Sequence, residues 1–210
     1  MPEGRQGPEG HLGLLARWRL GRRADKLARK PFGRAARRTY GDPRSHDFLW
    51  PQLLDALQLT TDDRLLDVGC GGGALIRHVR DTVGCTVAGV DHSRQMVKLA
   101  APYAALGSAD ALPFQDGYFT AVSSIQAFMF FDDALQALRE MRRVLDPDRG
   151  RGAIWTTAPE GRGTPASPEP VASLGHFRTD EELLDLARAA GFREPELAAR
   201  DEWTQLLVIK

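Results

Sequence analysis

Leu65 to Val68 form a short apolar run around an acid, Asp67, and lead straight into Gly69-Cys70-Gly71-Gly72-Gly73. Glycine there frees the backbone and removes the Cβ atoms that would hold a ligand away. A group pressed on the turn would meet the first unpaired N–H groups of the helix after it. Alone, such a stretch also reads as a plain tight turn. A second acid, Asp91, closes the run "CTVAGVD", 22 residues after Gly69. A carboxylate at that spacing can accept both hydroxyls of a ribose. Its rival role is to cap the helix after Ser93. A third acid, Asp110, stands before Ala111-Leu112-Pro113-Phe114. Asp110 can accept from an exocyclic amine, while Ala111 and Leu112 can pack on a flat ring. Together these features imply a nucleoside-bearing ligand. Gly69-x-Gly71-x-x-Ala74 also fits the dinucleotide fingerprint, so a nicotinamide enzyme is a rival that the Asp110 stretch opposes.

These residues need a frame, and the chain alternates accordingly. "RLLDVG", "CTVAGVD", a weak stretch near Ala105–Ser108, "YFTAVSSI" and "GRGAIWTT" read as strands. Between them, "GALIRHVRDTV", "SRQMVKLAAPYA" with Ser93 as N-cap, and "DDALQALREMRRVL" read as helices. "FLWPQLLDALQL" reads as a helix with Pro51 in its first turn. "TDEELLDLARAAGF" carries a capping box, Thr179 with Glu182, and stops at Gly191. "PELAARD" and "EWTQLLVIK" lie too close together for a helical crossover and should pair antiparallel. Strand–helix alternation predicts an α/β fold with a doubly wound sheet and helices on both faces. The carboxyl ends of the parallel strands then share one edge, where such sheets bind ligands.

The 210 residues suit one domain with a small appendage, and 42% apolar content can fill a core. No apolar run approaches the roughly 18 residues of a membrane span, and the first twenty residues do not read as a signal peptide. Cys70 and Cys85 offer neither a disulfide framework nor zinc spacing, so no metal site and a reducing, cytoplasmic setting are expected. Net charge is zero, yet residues 1–44 hold twelve Lys or Arg against four acids. That basic arm reads as helical over 11–30 or disordered. It is either a nucleic-acid or membrane-binding arm, or a segment that is solvated or lies on its own acidic domain. Residues 45–210 form the ligand-binding domain on this reading.

The stretches "LLDVGCGGG", "VAGVDHSRQMVKLA", "SADALPFQDGYFTAV", "ALREMRRVLDPDRGRGAIW" and "EELLDLARAAGF", in this order, resemble the class I S-adenosylmethionine-dependent methyltransferases of the small-molecule type. The resemblance runs from about Leu53 to Lys210. It implies a Rossmann-like seven-stranded sheet, mostly parallel with the last strand antiparallel, a place that "WTQLLVIK" fits. It further implies S-adenosyl-L-methionine as cofactor and S-adenosyl-L-homocysteine as product. Carried over by position, Asp67 orients the methionine ammonium, and Gly69, Cys70 and Gly71 offer backbone contacts. Asp91 holds the ribose, His92 or Met96 flanks the adenine, and Asp110 and Ala111 meet its edge. Ser124, Ile125 and Gln126 face the reacting methyl. Thr120 stands where the family usually has an acid, and "RVLDPDRGRG" replaces a Lys-Pro-Gly-Gly turn.

On the acceptor side, Tyr40, Trp50, Phe128, Phe130 and Phe131 are candidate pocket walls, although "AFMFF" also reads as ordinary core. His46 and His176 lie in segments able to fold over the cofactor, and histidine is the residue type that most often serves as a general base. "SSIQAF" is not the Asn/Asp-Pro-Pro-aromatic stretch associated with amine methylation of adenine or glutamine. Neither cysteine sits where pyrimidine C5 methylation needs one. The favoured reading is methyl transfer to an O, N or C atom of a small molecule, by a monomer or homodimer. The alternatives are an RNA methyltransferase using the basic arm and a non-catalytic cofactor-binding partner subunit.

Overall fold

The computed structural model describes residues 46–169 and 171–210, together with Pro31, Arg37 and Asp42. The expected helix over 11–30 lies outside the described residues, as does Tyr40. A 3₁₀ turn, Asp47–Leu49, leads into α1, Trp50–Leu57, with Pro51 in its first turn as expected. Next come β1 (Arg64–Val68), α2 (Ala74–Thr82), β2 (Thr86–Asp91), α3 (Arg94–Ala100) and β3 (Ala104–Leu106). The second half holds β4 (Ala121–Ile125), α4 (Ala134–Val144), β5 (Arg151–Thr157), α5 (Asp180–Ala189), β6 (Glu196–Arg200) and β7 (Thr204–Ile209).

The seven strands lie in the order β3-β2-β1-β4-β5-β7-β6. Neighbours pair in parallel, except that β7 runs antiparallel to both β5 and β6. The final two strands therefore pair antiparallel as expected, with the later one inserted toward the centre.

Alternation of side chains assigns each strand to two cores. Leu65, Ala121, Ala153, Trp155, Leu206 and Val208 pack on one face with Leu53 and Leu57 of α1 and Leu75 and Val79 of α2. Leu66, Val122, Ile154, Leu207 and Ile209 pack on the other with Leu138 and Met141 of α4 and Leu183 and Ala187 of α5. The central strands are buried on both sides, which is why they read as nearly continuous apolar runs.

Local signals place the helix starts. Ser93 Oγ accepts from Met96 N at the head of α3, and Asp133 Oδ1 accepts from Gln136 N (2.9 Å) at the head of α4. At α5 the capping box closes in both directions, Glu182 N to Thr179 Oγ1 and Thr179 N to Glu182 Oε2. The crossovers leave β1 toward β2 on one side and β4 toward β5 on the other. A crevice opens between β1 and β4, at the carboxyl edge of the sheet.

Candidate active site

A cavity of about 550 Å³ occupies that crevice, a size suited to a cofactor-sized ligand. Its floor is the β1–α2 turn. Gly69 has φ +76°, and a Cβ there would lie 2.4 Å from the Ala127 Cβ, so only glycine fits. Gly71 has φ +52° with nothing within 4 Å of where a Cβ would stand. The turn thus presents bare backbone to open space, and Gly69 N and Cys70 N are tied to the Val90 carbonyl at 2.8 and 3.1 Å.

Two aspartates stand beside the turn. Asp91, 8% exposed, accepts from Gly71 N (2.9 Å) through one carboxylate oxygen and from Ser93 N (2.8 Å) through the other. It both braces the turn and starts the loop into α3, and the N-cap itself is Ser93. Burial raises its pKa, against the pull of the Ser93 and Gly71 N–H groups and of His92. Asp67 is 4% exposed and accepts 2.8 Å from the Ser123 hydroxyl. Burial pushes its pKa up to about 7; Ser123 lowers it, and the charge of Asp91 raises it. A buried carboxylate with one neutral donor and a like charge beside it favours a cationic neighbour. Cys70 also lines the cavity, and burial holds its thiol well above the usual range, so it stays protonated.

The remaining walls come from several elements. Met96 and His92 flank the Asp91 side, and Gly107, Ser108, Ala109 and Asp110 form the next wall. Ile125, Gln126 and Ala127 come directly after β4, with Phe130, Phe131, Asp132 and Asp133 beyond. Gln126 adopts φ +53°, its N–H donates to Trp155 O (2.8 Å), and its Oε1 accepts from the Thr157 hydroxyl (2.8 Å). His46 and Trp50 close the rim, and burial lowers the His46 pKa. Pro31 completes it, its carbonyl accepting from Ser93 Oγ at 2.7 Å.

The structure thus brings Asp67, Gly69, Cys70, Gly71, Asp91, His92, Met96, Asp110, Ile125, Gln126 and His46 to one cavity. Four other expected site residues lie elsewhere. Ser124 is buried on the opposite face of β4 from Ser123 and Ile125, a consequence of strand alternation. Ala111 is turned outward where its N–H closes a tight turn on Ser108 O (3.2 Å). Phe128 is core: the 3₁₀ turn Phe128–Phe130 packs its ring edge-on against Phe131, 5.6 Å between centroids, and leaves Phe130 and Phe131 to form the wall. His176 is exposed and outside the cavity, although its N–H donates to Met129 O (2.7 Å). Sequence reading passed over Gly107–Ala109 and Asp132–Asp133. Both acids directly precede the α4 start, the one local signal that marks them.

Residues 66–150 match the family described as methyltransferase domain. Methyltransferase GfsG of Streptomyces halstedii is 32% identical over 114 residues, 49% of this chain and 41% of that protein. Malonyl-[acyl-carrier protein] O-methyltransferase of Pseudescherichia vulneris is 34% identical over 139 residues, 62% of this chain and 53% of that protein. The chain spans about half the length of the curated relatives it matches. Phosphoethanolamine N-methyltransferase 2 of Haemonchus contortus, solved with S-adenosyl-L-methionine, superposes with a TM-score of 0.67 at 23% identity, covering 83% of this chain and 45% of that one. The match places a methyltransferase-domain signature over residues 66–150, and the structural likeness shows a shared fold. Among the described residues no helix is long and apolar enough to cross a membrane.

Proposed function

We propose that this protein transfers a methyl group from S-adenosyl-L-methionine to an oxygen, nitrogen or carbon nucleophile of a small molecule, releasing S-adenosyl-L-homocysteine. One observation carries the reading: the bare Gly69–Gly71 backbone, the Asp91 carboxylate and Asp110 all face a single cavity at the β1–β4 crevice. The residues present fit the cofactor. Gly71 leaves open space where a side chain would intrude, and Asp67 is a buried carboxylate short of positive charge. Residues 45–210 are the catalytic domain on this reading.

When bound, the cofactor supplies an activated methyl on a positive sulfur. Asp91 accepts the ribose hydroxyls through lone pairs left beside its two backbone N–H contacts, and Asp67 attracts the methionine ammonium. Asp110 takes the amine edge of the base, with Met96 and His92 flanking the ring. Ile125, Phe130 and Phe131 exclude water around the reacting centre, and Gln126 offers its amide to the acceptor. Alignment of this kind can lower a displacement barrier by roughly 7–11 kcal/mol. Where the acceptor arrives protonated, His46 at the rim is the base, its imidazole kept neutral by burial.

The charge of the walls bears on the acceptor. Asp67, Asp91, Asp110, Asp132 and Asp133 line the cavity, and no lysine or arginine does among the described residues. That lining favours neutral or cationic acceptors over carboxylates and phosphates. The test is calorimetry with S-adenosyl-L-homocysteine and with NAD. Binding of the thioether and none of NAD is expected; the reverse would overturn the reading.

A further inference from the structure

Asp110 sits in the 14-residue connection between β3 and β4, where regular structure gives it no support. Strand β3 is three residues long and lies at the sheet edge, so it cannot fix the chain that leaves it. Something else must hold the connection, and α4 does so with one stripe. Gln136, Glu140 and Arg143 occupy positions i, i+4 and i+7, one face of the helix.

Each member of the stripe grips the connection. Arg143 donates from Nη2 to Leu112 O (3.0 Å) and from Nη1 to Phe114 O (2.8 Å) and to Asp116 Oδ1 (2.6 Å). Its Nε and Nη2 form a two-pronged pair with the Glu140 carboxylate, both at 2.7 Å. Glu140 in turn accepts from Leu112 N (2.8 Å), and Gln136 Nε2 reaches Asp110 O at 3.5 Å. The apolar residues of the same stretch join the core on that face of the sheet. Leu112 is buried in the α4 core, and Phe114 packs edge-on against Phe119, 5.1 Å between centroids. Backbone and side chains are therefore pinned together two residues from Asp110. Helix α4 is also capped by Asp133, which lines the cavity, so one element sets the spacing of two walls.

We infer that Glu140 and Arg143 are positioning residues for base selectivity: they hold Asp110 where its carboxylate distinguishes an amine from a carbonyl on the bound base. The guanidinium fork suits this task, because it reaches two carbonyls and two carboxylates at once. This inference rests on the proposed nucleoside cofactor. It adds that selectivity for the base is set from α4, behind the wall.

The test is calorimetry on the full chain with two probes, S-adenosyl-L-homocysteine and S-inosyl-L-homocysteine, which differ in an amine against a carbonyl at C6 and in the proton that the carbonyl form carries on N1. The wild type should prefer the amine by about tenfold or more, and Asp110→Asn should abolish the preference. Glu140→Gln, nearly isosteric, and Arg143→Lys should each move the ratio toward one, mainly by weakening the amine-bearing probe. In the Asp110→Asn background Glu140→Gln should change the ratio no further, since both act through one carboxylate. Thermal midpoints establish that each variant folds, and Glu140→Gln carries the test alone if Arg143→Lys does not. A wild-type ratio in folded Glu140→Gln overturns the inference, and so does an additive loss in the double variant. A wild type that binds both probes alike removes the inference and leaves the proposed function standing. A wild type that binds neither overturns both.

Discussion

Asp63 and Asp67 stand four residues apart at opposite ends of β1, and each is almost wholly buried, 3% and 4% exposed. Their electrostatics are opposite. Burial alone would raise the Asp63 pKa, but a two-pronged contact from Arg151 (3.0 and 3.1 Å), the Thr120 hydroxyl (2.6 Å) and Thr60 N–H (2.8 Å) more than compensate, and the pKa falls. Asp67 has one hydroxyl and a like charge, and its pKa rises to about 7. At the amino edge of the sheet Arg151 compensates the buried acid, while at the carboxyl edge Asp67 has the neutral Ser123 hydroxyl as its donor. The difference marks the carboxyl edge independently of the glycine turn: a buried acid left without a cation is a candidate ligand contact.

The largest test breaks the satisfied end. Arg151→Ala leaves Asp63 buried without its cation and releases the contacts from Arg151 to the Leu57 and Gln58 carbonyls at the end of α1. Loss of about 3 kcal/mol is expected in urea unfolding; a loss under about 0.5 kcal/mol would show the pair to be dispensable.

The next test relieves the unsatisfied end. The folded Asp67 pKa lies above its ordinary value of 3.8, so the folded state holds the proton more tightly. Stability from this group is full below about pH 4 and lost as pH rises through 7. Asp67→Asn should thus stabilise the ligand-free protein at pH 8 by on the order of 2 kcal/mol. The gain should vanish near pH 4, while S-adenosyl-L-homocysteine binding weakens. Asp63 has the reverse sign, with stability present above its ordinary range and lost as pH falls. An Asp67→Asn variant less stable than wild type at pH 8 would dissolve the contrast.

A smaller effect sharpens the ligand side. Asp91→Ala should weaken S-adenosyl-L-homocysteine by about 1–3 kcal/mol, through unpaired ribose hydroxyls and a turn that loses its brace. Unchanged affinity would remove Asp91 from the site. The smallest is a control: His176→Ala, exposed and outside the cavity, should leave both affinity and thermal midpoint alone. A clear fall in affinity would extend the site beyond the crevice.

Much of this molecule is written in short-range patterns. The alternating apolar runs, the Ser93 cap, the Thr179–Glu182 box and the Gly69–Gly71 turn each arise from residues within a few positions of one another. Asp67, Asp91 and Asp110 were legible because each lies in, ends or comes just after a strand of a parallel sheet, and crossover handedness then carries all three to one edge. Phe128 and Phe131 were not separable, because a single 3₁₀ turn decides which ring faces inward. Ser124 and Ile125 differ only by the side of β4 they take, which requires the strand's register.

By itself, then, the sequence determined the alternation, the helix ends, the bare turn and the three carboxylates, since those depend on local backbone preference and spacing. Only the tertiary structure decided which carboxylate is neutralised, that β7 lies inside β6, and that Glu140 and Arg143 hold the Asp110 wall. Those outcomes depend on partners 27 to 88 positions away, and the strength of a buried charge is set by whatever stands beside it in space.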